Sequence, residues 1–98
     1  MRRPALSIVL LLSPLLVYAA DVEQGKHAAA RCVSCHGQAG ISANPLYPNL
    51  AGQKEAYLLK QMRDFQTGKR PDPIMGAMVK GLSDQDLANL AAYYNQLK

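Results

Sequence analysis

Two cysteines and a histidine stand together in the sequence Cys32-Val33-Ser34-Cys35-His36. Two thiols at this spacing can each add to a vinyl group of haem, while the imidazole of the next residue binds the iron. A Cys-x-x-Cys pair alone would also fit a redox-active dithiol or half of a zinc site. The chain has no other cysteine, and the adjoining histidine favours a single covalent c-type haem, with Cys32 and Cys35 as its attachment points and His36 as an iron ligand.

The second axial position on the iron decides what such a protein does, and methionines are the candidates for it. A thioether there gives a low-spin iron suited to passing electrons, whereas an open position permits ligand binding or peroxide chemistry. Met62 falls in the apolar stripe of a predicted helix, where packing in the core or against the haem is the simpler interpretation. Met75 and Met78 fall in a segment that contains Gly76 and ends at Gly81, which we predict to be a loop able to bend over a haem face.

Between these two methionines we predict Met75 as the iron ligand, with Met78 as the alternative. Pro71 and Pro73 stiffen the turn that must carry the chain from the helix ending near Gly68 to the opposite haem face, and Met75 follows that turn directly. Met78 is closer to the last predicted helix, where we expect it to pack inward beside Leu82.

The start of the chain has the pattern of an export signal. Arg2-Arg3 precedes an apolar stretch, and a signal-peptidase site after Ala19 has small or tolerated residues before the cut. The alternative is an uncleaved membrane anchor, but the apolar stretch is shorter than the ~20 residues that a spanning helix needs. We therefore expect residues 1–19 to be removed and residues 20–98 to form one periplasmic domain with no stable membrane insertion.

Charge and size narrow the class of protein. The full chain has eleven Lys and Arg against seven Asp and Glu, and loss of the leader would leave nine basic residues, a net charge of +2. Two haem propionates would roughly cancel that excess, and no basic run or aromatic platform suggests a nucleic-acid partner. A mature chain of 79 residues buries a modest core, and chains of that size often depend on a cofactor.

The helix before the haem motif should pack closely against another helix. Asp21 is predicted to cap it, and it should run to about Arg31. Its small residues share one face, which lets a second helix approach; these are Gly25, Ala28 and Ala29. His27 lies five residues before Cys32 on this helix, and we expect it to be an exposed residue rather than an iron ligand.

Two further helices and two loops complete the predicted all-α domain. An apolar stripe predicts a helix over 53–67 that ends at Gly68, and a capping-box pattern starts the last helix at Ser83. No stretch alternates with a period of two, so we predict no sheet. The segments 37–50 and 74–81 are predicted to be loops because of their Gly, Pro, Asn and Met content. A loop as long as the first usually has a function, and wrapping one side of the haem would be that function.

The haem motif is accompanied by other short motifs at fixed spacing. Pro48 follows His36 by twelve residues, and Met75 precedes Ser83 by eight. With these motifs the chain resembles a class I cytochrome c, in particular the small periplasmic bacterial monohaem forms and single halves of the dihaem, two-domain cytochromes. The motifs cover nearly all of the chain after the leader; they are Gly25-Lys26, Cys32-Val33-Ser34-Cys35-His36-Gly37, Tyr47-Pro48-Asn49-Leu50-Ala51-Gly52-Gln53, Tyr57-Leu58-Leu59-Lys60-Gln61-Met62, Phe65, Gly68-Lys69-Arg70, Leu82-Ser83-Asp84 and Leu90-Ala91-Ala92-Tyr93-Tyr94.

The resemblance implies a fold and a set of haem contacts. Three to four helices and loops should wrap around one covalent haem, with the N- and C-terminal helices crossing. Pro48 should offer its backbone carbonyl to the other imidazole N–H of His36, which fixes the ring. Leu50 should pack on the haem face, and Arg70 should lie near the propionates.

The resemblance also implies a particular helix crossing. Gly25 should lie against Tyr93 where the first and last helices meet. Relatives often have an aromatic residue four positions after the glycine, whereas this chain has Ala29, which would leave the crossing less well filled.

The function implied by the resemblance is one-electron transfer in the periplasm. The expected protein is a monomeric electron carrier and not an enzyme, with redox proteins docking transiently at the haem edge. The alternatives are a haem subunit or dedicated electron donor of a periplasmic oxidoreductase complex, and a ligand-binding haem sensor. Peroxidases of this lineage need two haems, and the sensor-type helical bundles carry their motif near the C-terminus. Neither feature fits this chain.

Overall fold

The computed structural model describes residues 19–98, so the predicted leader, apart from Ala19, lies outside the described residues. Between residues 19 and 98 the regular structure is entirely helical, which confirms the predicted all-α class. None of the helices in this range is both long and apolar enough to cross a membrane.

Five α-helices and one 3₁₀ helix make up the domain. In chain order they are α1 (Val22–Ala28), a 3₁₀ helix (Ala29–Cys32), α2 (Val33–His36), α3 (Glu55–Thr67), α4 (Pro73–Val79) and α5 (Asp84–Gln96). The first three follow one another without a loop and carry the haem motif. A long connection without regular structure over 37–54 then leads to α3, so the predicted loop over 37–50 is confirmed.

The crossing of α1 and α5 is the most extensive helix contact of the fold. Gly25 is buried there, and a Cβ atom added to it would lie 2.1 Å from the carbonyl oxygen of Asn89 and 2.8 Å from the Cβ atom of Tyr93. The buried Asn89 side chain accepts hydrogen bonds from Asp21 N and from Gln85 Nε2, each at 2.8 Å. The predicted contact of Gly25 with Tyr93 is confirmed.

The first helix is shorter than predicted. Asp21 caps α1 as expected by accepting a hydrogen bond from Gln24 N, but α1 ends at Ala28 instead of about Arg31. The chain then tightens into the 3₁₀ helix, a common end for a short α-helix. The helical course therefore continues to Cys32, and only its pitch changes.

The core lies between α5, α1 and α3. Most of its buried side chains come from α5, and the cluster consists of Ala29, Leu58, Leu90, Ala91, Tyr93 and Tyr94. The predicted capping box starts α5: Ser83 N donates to Asp86 Oδ2 and Asp86 N donates to Ser83 Oγ, both at 3.0 Å. Leu87 and Leu90 are completely buried, and full burial of each contributes about 2 kcal/mol to stability.

The end of α3 agrees with the prediction, whereas the segment that follows it does not. Gly68 ends α3 with a left-handed backbone, φ 79°, as predicted. The loop predicted over 74–81 is wrong, because residues 73–79 form α4. Asp72 caps this helix by accepting hydrogen bonds from the backbone N–H groups of Ile74 and Met75 at 3.0 and 2.9 Å. Pro73 at the first helical position needs no partner for a backbone N–H.

Candidate functional site

An open cavity of about 370 Å³ lies between the haem motif, the 46–50 segment and helices α3, α4 and α5. Its walls are mostly apolar side chains. All of the residues predicted for the site line it, namely Cys32, Cys35, His36, Pro48, Leu50, Arg70 and Met75. His27, in contrast, is exposed on α1 and is not part of the cavity wall.

The haem motif presents its two thiols to this cavity. Cys32 ends the 3₁₀ helix and Cys35 lies in the single turn of α2. Residues three apart in a helical course share a face, so the short helices bring both thiols to the same wall. Both cysteines are partly buried free thiols. Burial raises the pKa of Cys32, which keeps this group a neutral thiol at physiological pH.

His36 is oriented by a hydrogen bond from its ring. The side chain is buried, with 6 % of its surface exposed, and its Nδ1 atom lies 2.8 Å from the carbonyl oxygen of Pro48. A carbonyl can only accept, so Nδ1 carries the proton and donates it. In the neutral imidazole, the Nε2 atom is then the unprotonated nitrogen, and this is the form that binds a metal. The contact implied by the family resemblance is present.

Hydrogen bonds within the 37–50 loop hold Pro48 in place. Gly37 has φ 84°, and a Cβ atom there would lie 1.9 Å from the carbonyl oxygen of Ile41, so this turn requires glycine. Ser42 N donates to Asn49 Oδ1 at 2.7 Å, and the Ser42 hydroxyl lies 3.1 Å from the carbonyl oxygen of Cys35. Ser42 and Asn49 therefore link the haem motif to the residue beside Pro48. Apart from their turn-forming residue types, nothing in the sequence pattern predicted this role.

The methionines lie on the wall formed by α3 and α4. Met75 and Met78 both line the cavity, and their spacing of three places them on one face of α4. Met75 is partly buried, whereas Met78 is 41 % exposed. Met62 on α3 lines the cavity and packs against the core cluster, in agreement with its predicted packing role.

Arg70 is fixed at the cavity mouth by two contacts. Its guanidinium lies 4.5 Å from the centre of the Phe65 ring, a cation–π arrangement. Its Nη1 atom also donates to Gln61 Oε1 at 2.8 Å. A planar guanidinium held in one orientation suits a carboxylate, so this residue can receive an acidic group of a molecule in the cavity.

The Tyr94 hydroxyl tests what fits the cavity. It is buried at the cavity wall and has no hydrogen-bond partner among residues 19–98, and burial raises its pKa. An isolated buried hydroxyl costs about 1–3 kcal/mol. The Cys32 sulfur is near enough to affect the pKa of this hydroxyl, and as a thioether it would have no proton and could only accept a hydrogen bond from it.

The donor set as a whole fits a covalent c-type haem. Two thiols, one imidazole with an unprotonated Nε2, thioethers and apolar walls meet around one cavity, and a guanidinium stands at its mouth. Within the described part of the chain, no group of three or more His, Cys, Asp or Glu side chains is arranged so that it alone could hold a metal ion.

The sequence also matches known proteins over most of its length. The family model described as "Cytochrome c" matches residues 22–98. Cytochrome c4 of Pseudomonas aeruginosa is 47 % identical over 94 residues, which cover 96 % of this chain and 47 % of that protein. A thiosulfate dehydrogenase electron acceptor of Thiomonas intermedia is 46 % identical over 72 residues, covering 71 % of this chain and 33 % of that protein.

A solved structure shows the same fold. The crystal structure of reduced recombinant cytochrome c4 from Pseudomonas stutzeri aligns with a TM-score of 0.77 and 43 % identity, over 82 % of this chain and 47 % of that one. The chain thus spans about half the length of the cytochrome c4 proteins that it matches.

Proposed function

Because this chain belongs to the cytochrome c family, we propose that it is a one-electron carrier of the periplasm. A covalent haem held in this cavity would supply the one-electron chemistry of its iron. Cys32 and Cys35 hold the group through thioether bonds, and His36 binds the metal. The observation that carries this proposal is the convergence of both thiols, the oriented imidazole and the methionines on one apolar cavity.

We propose Met75 as the sixth ligand, with Met78 as the alternative. Met75 is the more enclosed of the two, and its own backbone N–H is fixed by Asp72 at 2.9 Å. Since α4 is a helix, the choice lies between two side chains one turn apart on the same face. A thioether ligand raises the redox potential and keeps external ligands off the iron, and both effects suit an electron carrier.

The remaining site residues act by orienting and enclosing. Pro48 holds the His36 ring through its carbonyl oxygen and keeps Nε2 directed at the metal position. Leu50 supplies an apolar wall next to that contact, which keeps water out. Arg70, held by Phe65 and Gln61, offers its guanidinium to a propionate.

Partners should dock transiently at the cavity mouth. The large apolar side chains there are exposed; they are Leu46 (83 %), Ile74 (57 %), Tyr57 (47 %) and Met78 (41 %). The name of the Thiomonas intermedia relative describes an acceptor of electrons from thiosulfate dehydrogenase. We therefore propose that a redox enzyme of the periplasm is a partner of this chain, which itself acts as a monomer and not as an enzyme.

Family membership supports the proposed periplasmic compartment. Attachment of a c-type haem and the leader-like residues 1–19 both point to export, and we propose that the leader is removed after Ala19. A haem subunit or dedicated donor of an oxidoreductase complex is the second candidate, favoured by the name of the same relative.

Mass spectrometry and potentiometry of the exported protein test the proposal together. The intact mass should equal residues 20–98 plus one haem, and redox titration should show one reversible one-electron step. A product that retains residues 1–19 would refute the processing. A protein with no covalent haem would refute the assignment of the site.

A further inference from the structure

The C-terminal end of α4 is bound by a side chain from α3. The Nε2 atom of Gln66 donates to the carbonyl oxygens of Val79 and Leu82, both at 2.9 Å. An amide nitrogen has two hydrogens, so one side chain can supply both bonds. The carbonyl groups in the last turn of a helix have no N–H donor within the helix itself. Val79 is the last residue of α4, so its carbonyl group needs a donor from elsewhere.

Helix α4 depends on such attachments because it is short. It has seven residues, about two turns, and helices of this length are not stable by themselves. Its main packing partner is α3. The Asp72 cap at its start is part of the same segment and does not tie it to the rest of the fold. Arg31 adds a longer contact from the haem motif, with its Nη1 atom 3.5 Å from the carbonyl oxygen of Met78.

Gln66 is separate from the cavity that it influences. It does not line the cavity wall. The two carbonyl groups that it binds belong to residues that follow Met75 and Met78 in the chain. Val79, the residue whose carbonyl it binds, is 3 % exposed and anchors the helix end. Any effect of Gln66 on a group in the cavity must therefore pass through the position of α4.

We propose that Gln66 is a positioning residue for the sixth ligand of the iron. By holding Val79 and Leu82 it keeps α4 closed over the cavity and keeps Met75 at the metal. The proposal rests on ligation by Met75 as proposed above. Loss of Gln66 should leave Met75 as the ligand but let the helix move away more often, which opens the iron to external ligands.

Imidazole binding to the ferric holoprotein measures that opening, because imidazole must displace the methionine. Gln66→Leu removes both donors and keeps a good helix former. We expect imidazole affinity to rise about tenfold, equivalent to about 1.4 kcal/mol, which is the net contribution expected of two partly exposed hydrogen bonds. The absorption band of the methionine–ferric iron pair should remain in the absence of imidazole.

Two other substitutions separate hydrogen bonding from side-chain shape. Gln66→Glu keeps the shape but has no donor, so it should behave like Gln66→Leu. Gln66→Lys has three donors and should stay within about twofold of the wild type. Imidazole in its neutral form is the probe, so the charge changes do not steer it. Gln96→Leu is the matched control: Gln96 lies outside the cavity wall, and its Nε2 atom donates to Tyr93 O at 2.9 Å within α5.

A general loss of stability must be distinguished from a loss of positioning. Asn89→Ala weakens the α1–α5 crossing away from α4 and serves as the destabilised reference. Imidazole affinity raised equally in Asn89→Ala and Gln66→Leu would overturn the proposal, as would unchanged affinity in both Gln66→Leu and Gln66→Glu. Ligation by Met75 has its own test. A methionine–iron absorption band that survives in Met75→Ala would refute the ligand assignment and, with it, the proposal that Gln66 positions Met75.

Discussion

Replacing Gly25 by alanine should separate α1 from α5. The added Cβ atom would lie 2.1 Å from the backbone carbonyl oxygen of Asn89, whereas an ordinary contact is about 3.4 Å or more. The helices must therefore move apart by about 1 Å, because backbone atoms cannot rotate away as the end of a side chain can. Alanine favours a helix by about 1 kcal/mol over glycine, but overpacking costs about 1–3 kcal/mol and sometimes more. Because the clash is with a backbone atom, we take the upper end of the overpacking cost, about 3 kcal/mol, and expect a net loss of about 2 kcal/mol.

Gly76→Ala is the matched control within α4. Gly76 is also a helical glycine, but its nearest neighbour would be Phe65 O at 3.6 Å, an ordinary contact. Alanine there should stabilise the protein by up to about 1 kcal/mol. Guanidinium unfolding of the two ferric holoproteins gives both free energies of unfolding. A Gly25→Ala protein as stable as the Gly76→Ala protein would refute the argument that the helix crossing requires glycine.

Four further substitutions test the haem site. Pro48→Ala should keep the haem attached but loosen the ring of His36, with a modest change in redox potential and easier entry of external ligands, measured by potentiometry and imidazole titration. Cys32→Ala and Cys35→Ala should each abolish or strongly reduce haem attachment and leave a largely unfolded apoprotein, measured by intact mass and circular dichroism. Tyr94→Phe should weaken the loss of stability above pH ~10, because burial raises the pKa of Tyr94 in the folded protein and the unfolded chain ionises first as the pH rises.

Each of these expectations has a contradicting result. Pro45→Ala, an exposed proline of the same loop, is the control for Pro48→Ala; equal effects of the two would mean that loop stiffness matters and the carbonyl position does not. A cooperatively folded apoprotein would show that the core forms without haem. Identical stability of Tyr94→Phe and wild type at every pH would show that the hydroxyl titrates alike in both states.

Local sequence signals predicted much of the architecture. Asp21, Gly68 and the Ser83 capping box mark helix ends that the structure confirms. The small face around Gly25 predicted the close approach of another helix, since only a residue without a side chain allows backbones to come so near. The resemblance, and not the face itself, identified Tyr93 of the last helix as its partner. The haem motif predicted its chemistry directly, because the groups that react with haem, two thiols and an imidazole at fixed spacing, are its own residues.

Helix α4 was missed although its sequence contains a start signal. The two glycines and two methionines of 74–81 favoured a loop interpretation, but Asp72 followed by Pro73 is a cap and first-turn pattern. Methionine is also a good helix former. The consequence for the site is specific: Met75 and Met78 share one helix face, so periodicity alone does not choose between them.

The supporting hydrogen bonds could not be predicted from the sequence. Gln66 binds carbonyls 13 and 16 residues away, and Ser42 binds the motif from the following loop. Each bond joins a common polar side chain to a backbone atom, and backbone atoms have no residue type to recognise. Such contacts are determined by how helices and loops come to lie side by side.

Carbon monoxide added to the ferrous holoprotein tests the central claim most directly. We predict a low-spin optical spectrum that does not change, because a protein thioether occupies the position that carbon monoxide would take. In Met75→Ala the same addition should shift the spectrum at once. A wild-type protein that binds carbon monoxide readily at neutral pH would contradict the assignment as an electron carrier with a methionine ligand and would favour a ligand-binding haem protein instead.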